Sequence, residues 1–232
     1  MARYYRFSEK NFGIFSSLSV TSIFILINVF AYIFLKITFP DQIIDVNGRL
    51  IAQFHPFIGQ NIAISLQNIV SLRIWTFITS MFMHAGFFHL FANMISLFFL
   101  GSFIERIIGR KRFFYFYLLS GLFAGLLYII IESFFQSNLG AVGASGAIFG
   151  IAGLMVVLTP NLPLYIMFIP IPIKAKYAVP GLLIVLWLIS ITAGIPIGNT
   201  AHLGGLLTGL IYGIYLRNKY RRKTEYINKL FR

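Results

Sequence analysis

Apolar residues in this chain come in runs of about twenty, and polar residues gather in short clusters between them. A helix needs roughly 17 to 25 predominantly apolar residues to cross the hydrocarbon core of a bilayer. The pattern predicts six spans: Leu18 to Thr38, Phe87 to Ile108, Phe113 to Ile131, Ser145 to Thr159, Tyr177 to Ala193 and Ala201 to Leu216. The fourth and sixth are short for a full crossing, which implies that they begin below the membrane surface or run on into partly ordered loop. A long first loop, Phe39 to Gly86, and four shorter ones join the spans. A β-barrel would need strands of about ten residues with alternating polarity, so a continuous run such as Leu18 to Thr38 excludes it. The expected fold is an all-α membrane protein, a six-transmembrane-helix bundle over residues 18–216 between an N-terminal segment, 1–17, and a basic tail, 217–232.

Composition agrees with that reading and removes alternatives. The chain is 58% hydrophobic, 17% aromatic and only 11% charged, with a mean hydropathy of +0.84. It has no cysteine, so disulfides and thiolate metal sites are excluded. Arg3, Arg6 and Lys10 ahead of the first apolar run resemble a signal peptide, but the run exceeds a signal core of about 7 to 15 residues and reads as a retained span.

The net charge of +13 would fit nucleic acid, yet its placement fits membrane topology better. Under an alternating six-span topology, 16 of the 19 basic residues fall on one face. Only Lys36, Arg49 and Arg73 fall on the other. Lys and Arg stay cytoplasmic, so both termini are expected inside and no nucleic-acid partner is implied. The tail from Arg217 to Arg232 is expected to touch anionic headgroups of the lipid bilayer, at about 1 kcal/mol per basic residue. The absence of an appended soluble domain fits a minimal prokaryotic form in the plasma membrane.

Small residues recur on two spans. Gly146, Gly150 and Gly153 line one face of the fourth, and Gly205, Gly209 and Gly213 line one face of the sixth. Such stripes let helix backbones approach closely, so these two helices are expected to pack together.

Polar groups inside apolar spans are costly and lean towards function. Three sets stand out: Ser145 in Gly143-Ala144-Ser145-Gly146, His202 in Ala201-His202-Leu203-Gly204-Gly205, and His89 with Asn93 four residues later. The topology puts all three at the external ends of their spans. A serine hydroxyl attacks a carbonyl when a base takes its proton, and imidazole is the usual base. His202 shares the close-packing face with Gly205 and Gly209. Ser145 starts the fourth helix, where unpaired N–H groups favour developing negative charge. His89 and Asn93 project from one face of the second helix and can donate to one oxygen. None of the six acids adjoins Ser145 or His202 in sequence, which points to a Ser–His dyad, and Phe149, one turn after Ser145, is placed to hold the His202 ring by stacking.

Taken together these residues resemble the rhomboid family of intramembrane serine proteases. Gly143 to Gly146 is similar to its GxSG motif, Ala201 to Gly209 to its AH motif with GxxxG packing, His89 to Asn93 to its HxxxN, and Glu105 to Gly109 to its ExxxG. The similarity covers about Arg73 to Tyr215, and His84 falls where many members carry a histidine. The resemblance implies a rhomboid-type six-helix core around a water-filled cavity, a serine endopeptidase acting on transmembrane protein substrates near their external ends, no metal and no cofactor. One departure is that Trp75 is followed by Thr76 where members commonly carry Arg, with Arg73 two residues earlier.

Each motif also has a plainer reading: Ser145 as a packing residue among glycines, His89 as an interfacial histidine, Asn93 as an interhelical contact. His84 and His55 read as structural or solvated, and Glu105 with Arg106 as a capping pair at a helix end. Two rival functions follow, a catalytically silent binder of transmembrane helices and a channel or transporter. The intact Ser145 and His202 argue against the first, and the lack of paired carboxylates or repeated halves against the second.

Overall fold

A computed structural model of the chain describes residues 18–46, 49–135, 139–166, 170–195 and 197–231. The predicted segment 1–17, with Arg3, Arg6 and Lys10, and the final Arg232 lie outside the described residues. The fold is helical. Its long elements are α1 (Val20–Thr38), a second helix in three parts, α7 (Arg110–Phe135), α8 (Ser145–Leu158), α9 (Ala175–Ala193) and α10 (Asn199–Lys219), with α11 (Arg221–Lys229) at the end. The second helix is α5 (Phe87–Ser96), a π-helical turn over Leu97–Gly101, and α6 (Ser102–Ile108).

Four of these helices are long and apolar enough to cross a membrane: α1, Phe87–Ile108, α7 and α9. α8 is apolar but only 14 residues long, and in α10 the glycines, Asn199, His202 and the basic end dilute the apolar run. All six expected spans thus appear as helices. The third is longer than predicted at both ends, because Arg110 to Arg112 begin the helix and Glu132 to Phe135 continue it.

α8 sits at the centre. Gly146 to Leu158 are buried apart from the partly exposed Val156, as expected of a helix that is apolar all round. The surrounding helices are two-faced, with large apolar side chains outside as well as in, the arrangement of helices solvated by lipid. α7 buries Phe113, Tyr117, Ser120, Ala124 and Tyr128 at helical spacing and exposes Tyr115, Leu119, Phe123, Ile130 and Phe134. α1 buries Phe24, stacked on Tyr117 at 4.2 Å, and exposes Phe30, Phe34 and Ile37.

The two glycine stripes meet as expected. A Cβ built on Gly205 or Gly209 would collide with the carbonyl oxygen of Gly146 or Gly150, and one on Gly153 with that of Leu206. α8 and α10 therefore touch backbone to backbone along most of their length.

At the opposite end from Ser145, the Glu105 carboxylate caps α1 across the bundle. It accepts hydrogen bonds from Val20 N, Thr21 N and Thr21 Oγ1, at 2.8, 2.8 and 2.6 Å. These are orphan donors that every helix start must satisfy, and the negative charge suits the helix dipole there. The expected partner Arg106 is not the cation at this carboxylate: Arg110 lies 4.0 Å from it, brought round by the turn at Gly109. Removal by Glu105→Ala strands two buried backbone donors, so thermal or denaturant unfolding in detergent should show a loss of about 3 kcal/mol.

The long first loop holds structure that the sequence pattern did not reveal. It contains a hairpin of β1 (Gln42–Val46) and β2 (Arg49–Gln53), and short helices α2 (Pro56–Asn61), α3 (Leu66–Val70) and α4 (Thr76–Thr79). Polar side chains stitch it: Arg73 Nη1 donates to Gln60 O at 3.1 Å and to Asn68 Oδ1 at 3.0 Å, and Trp75 Nε1 donates to Asn61 O at 3.0 Å. Arg73, two residues before Trp75, thus bonds within the loop itself. His55 is the half-buried cap of α2, its Nδ1 accepting from Phe57 N at 3.2 Å.

Candidate active site

Ser145 is the first residue of α8, and the segment leading to it is pinned before the helix begins. Ala141 exchanges two backbone hydrogen bonds with Ile64, Gly143 N donates to Ser80 O at 2.8 Å, and Ala144 N donates to His84 Nε2 at 3.4 Å. Gly143 has a φ of +132°, and a Cβ there would lie 2.9 Å from His89 Cε1, 3.0 Å from His89 Nε2 and 3.6 Å from Ser145 Oγ. Glycine thus provides the conformation and also leaves open a space bordered by the His89 ring and the Ser145 hydroxyl.

His202 lies one turn into α10, on the face that carries Gly205 and Gly209. The close α8–α10 approach brings its Nε2 to 2.8 Å from Ser145 Oγ. The ring stacks on Phe149, centroids 4.5 Å apart and planes at 19°. His202 is buried, and its Nδ1 has no hydrogen-bond partner among the described residues. Among the described residues no carboxylate bonds this imidazole; it packs against Phe149.

His89 and Asn93 stand on the same turn-spaced face of α5. His89 Nδ1 accepts from Ala85 N at 3.4 Å, which leaves Nε2 as the nitrogen on the Gly143 side. Asn93 Nδ2 donates to His89 O at 2.7 Å, so one of its two N–H groups is engaged within its own helix and the other is left to donate.

His84 proves to be a supporting residue of this loop and is not solvated. It is fully buried, it receives the Ala144 N–H, and its ring meets His89 edge-on at 5.1 Å. Its sequence position, 60 residues from Ala144, carries no periodic signal that could have located it. Burial, and secondarily the neighbouring His89, push its pKa from 6.5 down to about 3. The folded state therefore keeps His84 neutral where an unfolded chain would protonate it. Its stabilisation is complete above pH 6.5 and is lost as pH falls from there towards 3, at roughly 1.4 kcal/mol per unit of depression. Melting temperature in detergent should fall on acidification below pH 6.5, and less steeply in His84→Gln.

Among the described residues no group of three or more His, Cys, Asp or Glu could hold a metal. The arrangement offers a hydroxyl, an imidazole bonded to it, and N–H donors around one space.

Residues 71–219 match the family model described as Rhomboid domain. RHOMBOID-like protein 1 of Arabidopsis thaliana is 37% identical over 144 residues, which cover 61% of this chain and 34% of that protein. RHOMBOID-like protein 5 of the same plant is 35% identical over 145 residues, 61% of this chain and 44% of the relative. A third relative, named Inactive RHOMBOID-like protein 8, is 31% identical over 139 residues, 59% of this chain and 36% of its own. The chain spans about a third to a half of the length of the curated relatives it matches. The apolar helices make it a multi-pass membrane protein. These relatives are plant proteins and lend no support to the prokaryotic plasma membrane expected from the sequence.

Proposed function

Because this chain belongs to the rhomboid family, we propose that it is an intramembrane serine endopeptidase cutting peptide bonds in or near transmembrane segments of membrane-protein substrates. The observation that carries this reading is the 2.8 Å hydrogen bond between His202 Nε2 and Ser145 Oγ. One relative is named inactive, so family membership leaves activity to the site, and here both reacting groups are present and in contact.

In the proposed reaction His202 takes the Ser145 proton through Nε2 while Oγ attacks the scissile carbonyl. The tetrahedral oxyanion is held at the start of α8 by the Ser145 backbone N–H, with His89 and the second N–H of Asn93 as further donors. His202 returns its proton to the leaving amine, and water then hydrolyses the acyl-enzyme by the same steps in reverse. Phe149 keeps the imidazole in the plane that reaches Oγ. No carboxylate is needed, because a ring fixed by stacking has little freedom left to lose.

The membrane arrangement proposed with this reaction is six crossings, with the basic end of the bundle and both termini cytoplasmic. Residues 18–216 form the catalytic unit and 217–232 a basic extension. Water reaches Ser145 from the opposite, external side.

A fluorophosphonate probe tests the nucleophile apart from any substrate. Labelling of Ser145 in the wild type, absent in Ser145→Ala and strongly reduced in His202→Ala, supports the reading. A wild type that stays unlabelled in its folded state removes it and favours the helix-binding alternative.

A further inference from the structure

The basic end of the bundle carries more structure than membrane topology alone requires. After a break at Tyr220 the chain forms α11, whose inner face returns to the bundle. Thr224 is buried, Ile227 borders a narrow gap with Ile107, Ile108, Leu158 and Leu216, and the Phe231 ring meets Phe103 at 6.1 Å. α11 is therefore docked against the bundle by its inner face.

The outer side has a distinct order along the helix. α10 exposes Leu207, Ile211, Ile214 and Tyr215, spaced i, i+4, i+7 and i+8, which is the stripe of a helix facing acyl chains. The last turn of α10 follows that stripe with Arg217 and Asn218, three and four residues after Ile214, and α11 adds Arg221 beyond the break at Tyr220, all exposed. Arg217, Asn218, Arg221, Thr224, Glu225 and Asn228 together line a notch of ≈ 270 Å³ across the α10–α11 joint. Arg221 Nε donates to Glu225 Oε1 at 2.9 Å, which steadies the guanidinium and offsets part of its charge. Lys219 and Lys223 lie over the Tyr220 ring beside the notch, each 5.9 Å from its centroid.

We infer that this notch binds the headgroup of an anionic phospholipid in the leaflet at the basic end of the bundle. The phosphate sits between Arg217 and Arg221 and the acyl chains run along Ile211 and Ile214. The change from apolar to cationic side chains within two turns reproduces the tail-to-head order of a lipid. Guanidinium forks match phosphate oxygens, and the Asn218 and Asn228 amides supply donors for a polar headgroup. A soluble anion would make no use of the apolar stripe.

The test uses the full-length chain in phosphatidylcholine bilayers with spin-labelled phosphatidylglycerol or phosphatidylcholine as the probe. The motionally restricted part of the electron spin resonance spectrum gives their relative association. Phosphatidylglycerol is expected to be favoured about fivefold, the worth of one cation at an anionic surface. In Arg217→Gln/Arg221→Gln the preference should fall to near parity. Arg222→Gln/Lys229→Gln, outside the notch, should keep most of it, and millimolar inorganic phosphate should leave it in place. Three results would overturn the site: no preference in the wild type, equal loss in both double variants, which means diffuse surface charge, or displacement by phosphate, which means a soluble-anion site. All four side chains are exposed, so matching melting curves are expected and exclude unfolding as the cause.

Discussion

Ser145→Ala is expected to lower kcat by about four orders of magnitude or more, His202→Ala to do the same, and the double variant to be no worse than either alone. The non-additivity is the informative part. The hydroxyl is a poor nucleophile without the imidazole, and the imidazole has nothing to activate without the hydroxyl, so the two act as one unit. The geometry ties them at 2.8 Å across the α8–α10 interface. Neither substitution should cost much stability. Ser145 is partly exposed at a helix start, and among the described residues the His202 ring has this one hydrogen bond besides the Phe149 face. Steady-state cleavage with melting curves alongside separates lost chemistry from lost fold.

The second large effect comes from a residue with no functional group. Gly209→Val should destabilise the protein by about 3 kcal/mol and remove activity with the dyad chemically intact. A Cβ at Gly209 would run into Gly150 O and lie 2.8 Å from Leu154 N. These are backbone atoms of a central helix, so no rotamer change relieves the contact and α10 must move off α8. The same interface sets the distance between Ser145 and His202, two turns away. Gly181→Ala is the control: nothing lies within 4 Å of a Cβ there, and a mid-helix glycine replaced by alanine gains up to about 1 kcal/mol.

The helices were legible in the sequence because a span imposes a length and a polarity that little else imitates. α1 and the second helix appear within two residues of their apolar runs. The contact of α8 with α10 was legible because glycine at every third or fourth position strips one helix face down to its backbone, and such a face packs best against another like it. From that contact came the meeting of Ser145 with His202 and of Phe149 with the imidazole. What stayed hidden depends on single polar bonds between distant residues. The reach of Glu105 to Thr21 crosses 84 positions and that of His84 to Ala144 crosses 60, with no period to mark either. The first loop is similar. Its hairpin and helices are too short to build a hydrophobic pattern, and Arg73, Asn68 and Trp75 order it through backbone carbonyls that any sequence would possess. The π-helical turn at Leu97–Gly101 lies inside an unbroken apolar run and leaves no trace there.

These differences bear on the proposed chemistry. The motifs alone put a serine and a histidine at one depth. The structure adds what holds them: a loop fixed by Ser80, His84 and Ile64, a ring held flat by Phe149, and a glycine at 143 that keeps space open between the His89 ring and the serine hydroxyl.

The most direct test of the central claim is cleavage of a transmembrane reporter by the purified chain in liposomes, run beside Ser145→Ala and His202→Ala. Cleavage within or beside the reporter's span by the wild type, and by neither variant while both melt like the wild type, is the predicted result. Equal cleavage by Ser145→Ala, or no cleavage of several reporters by a folded wild type, would contradict it.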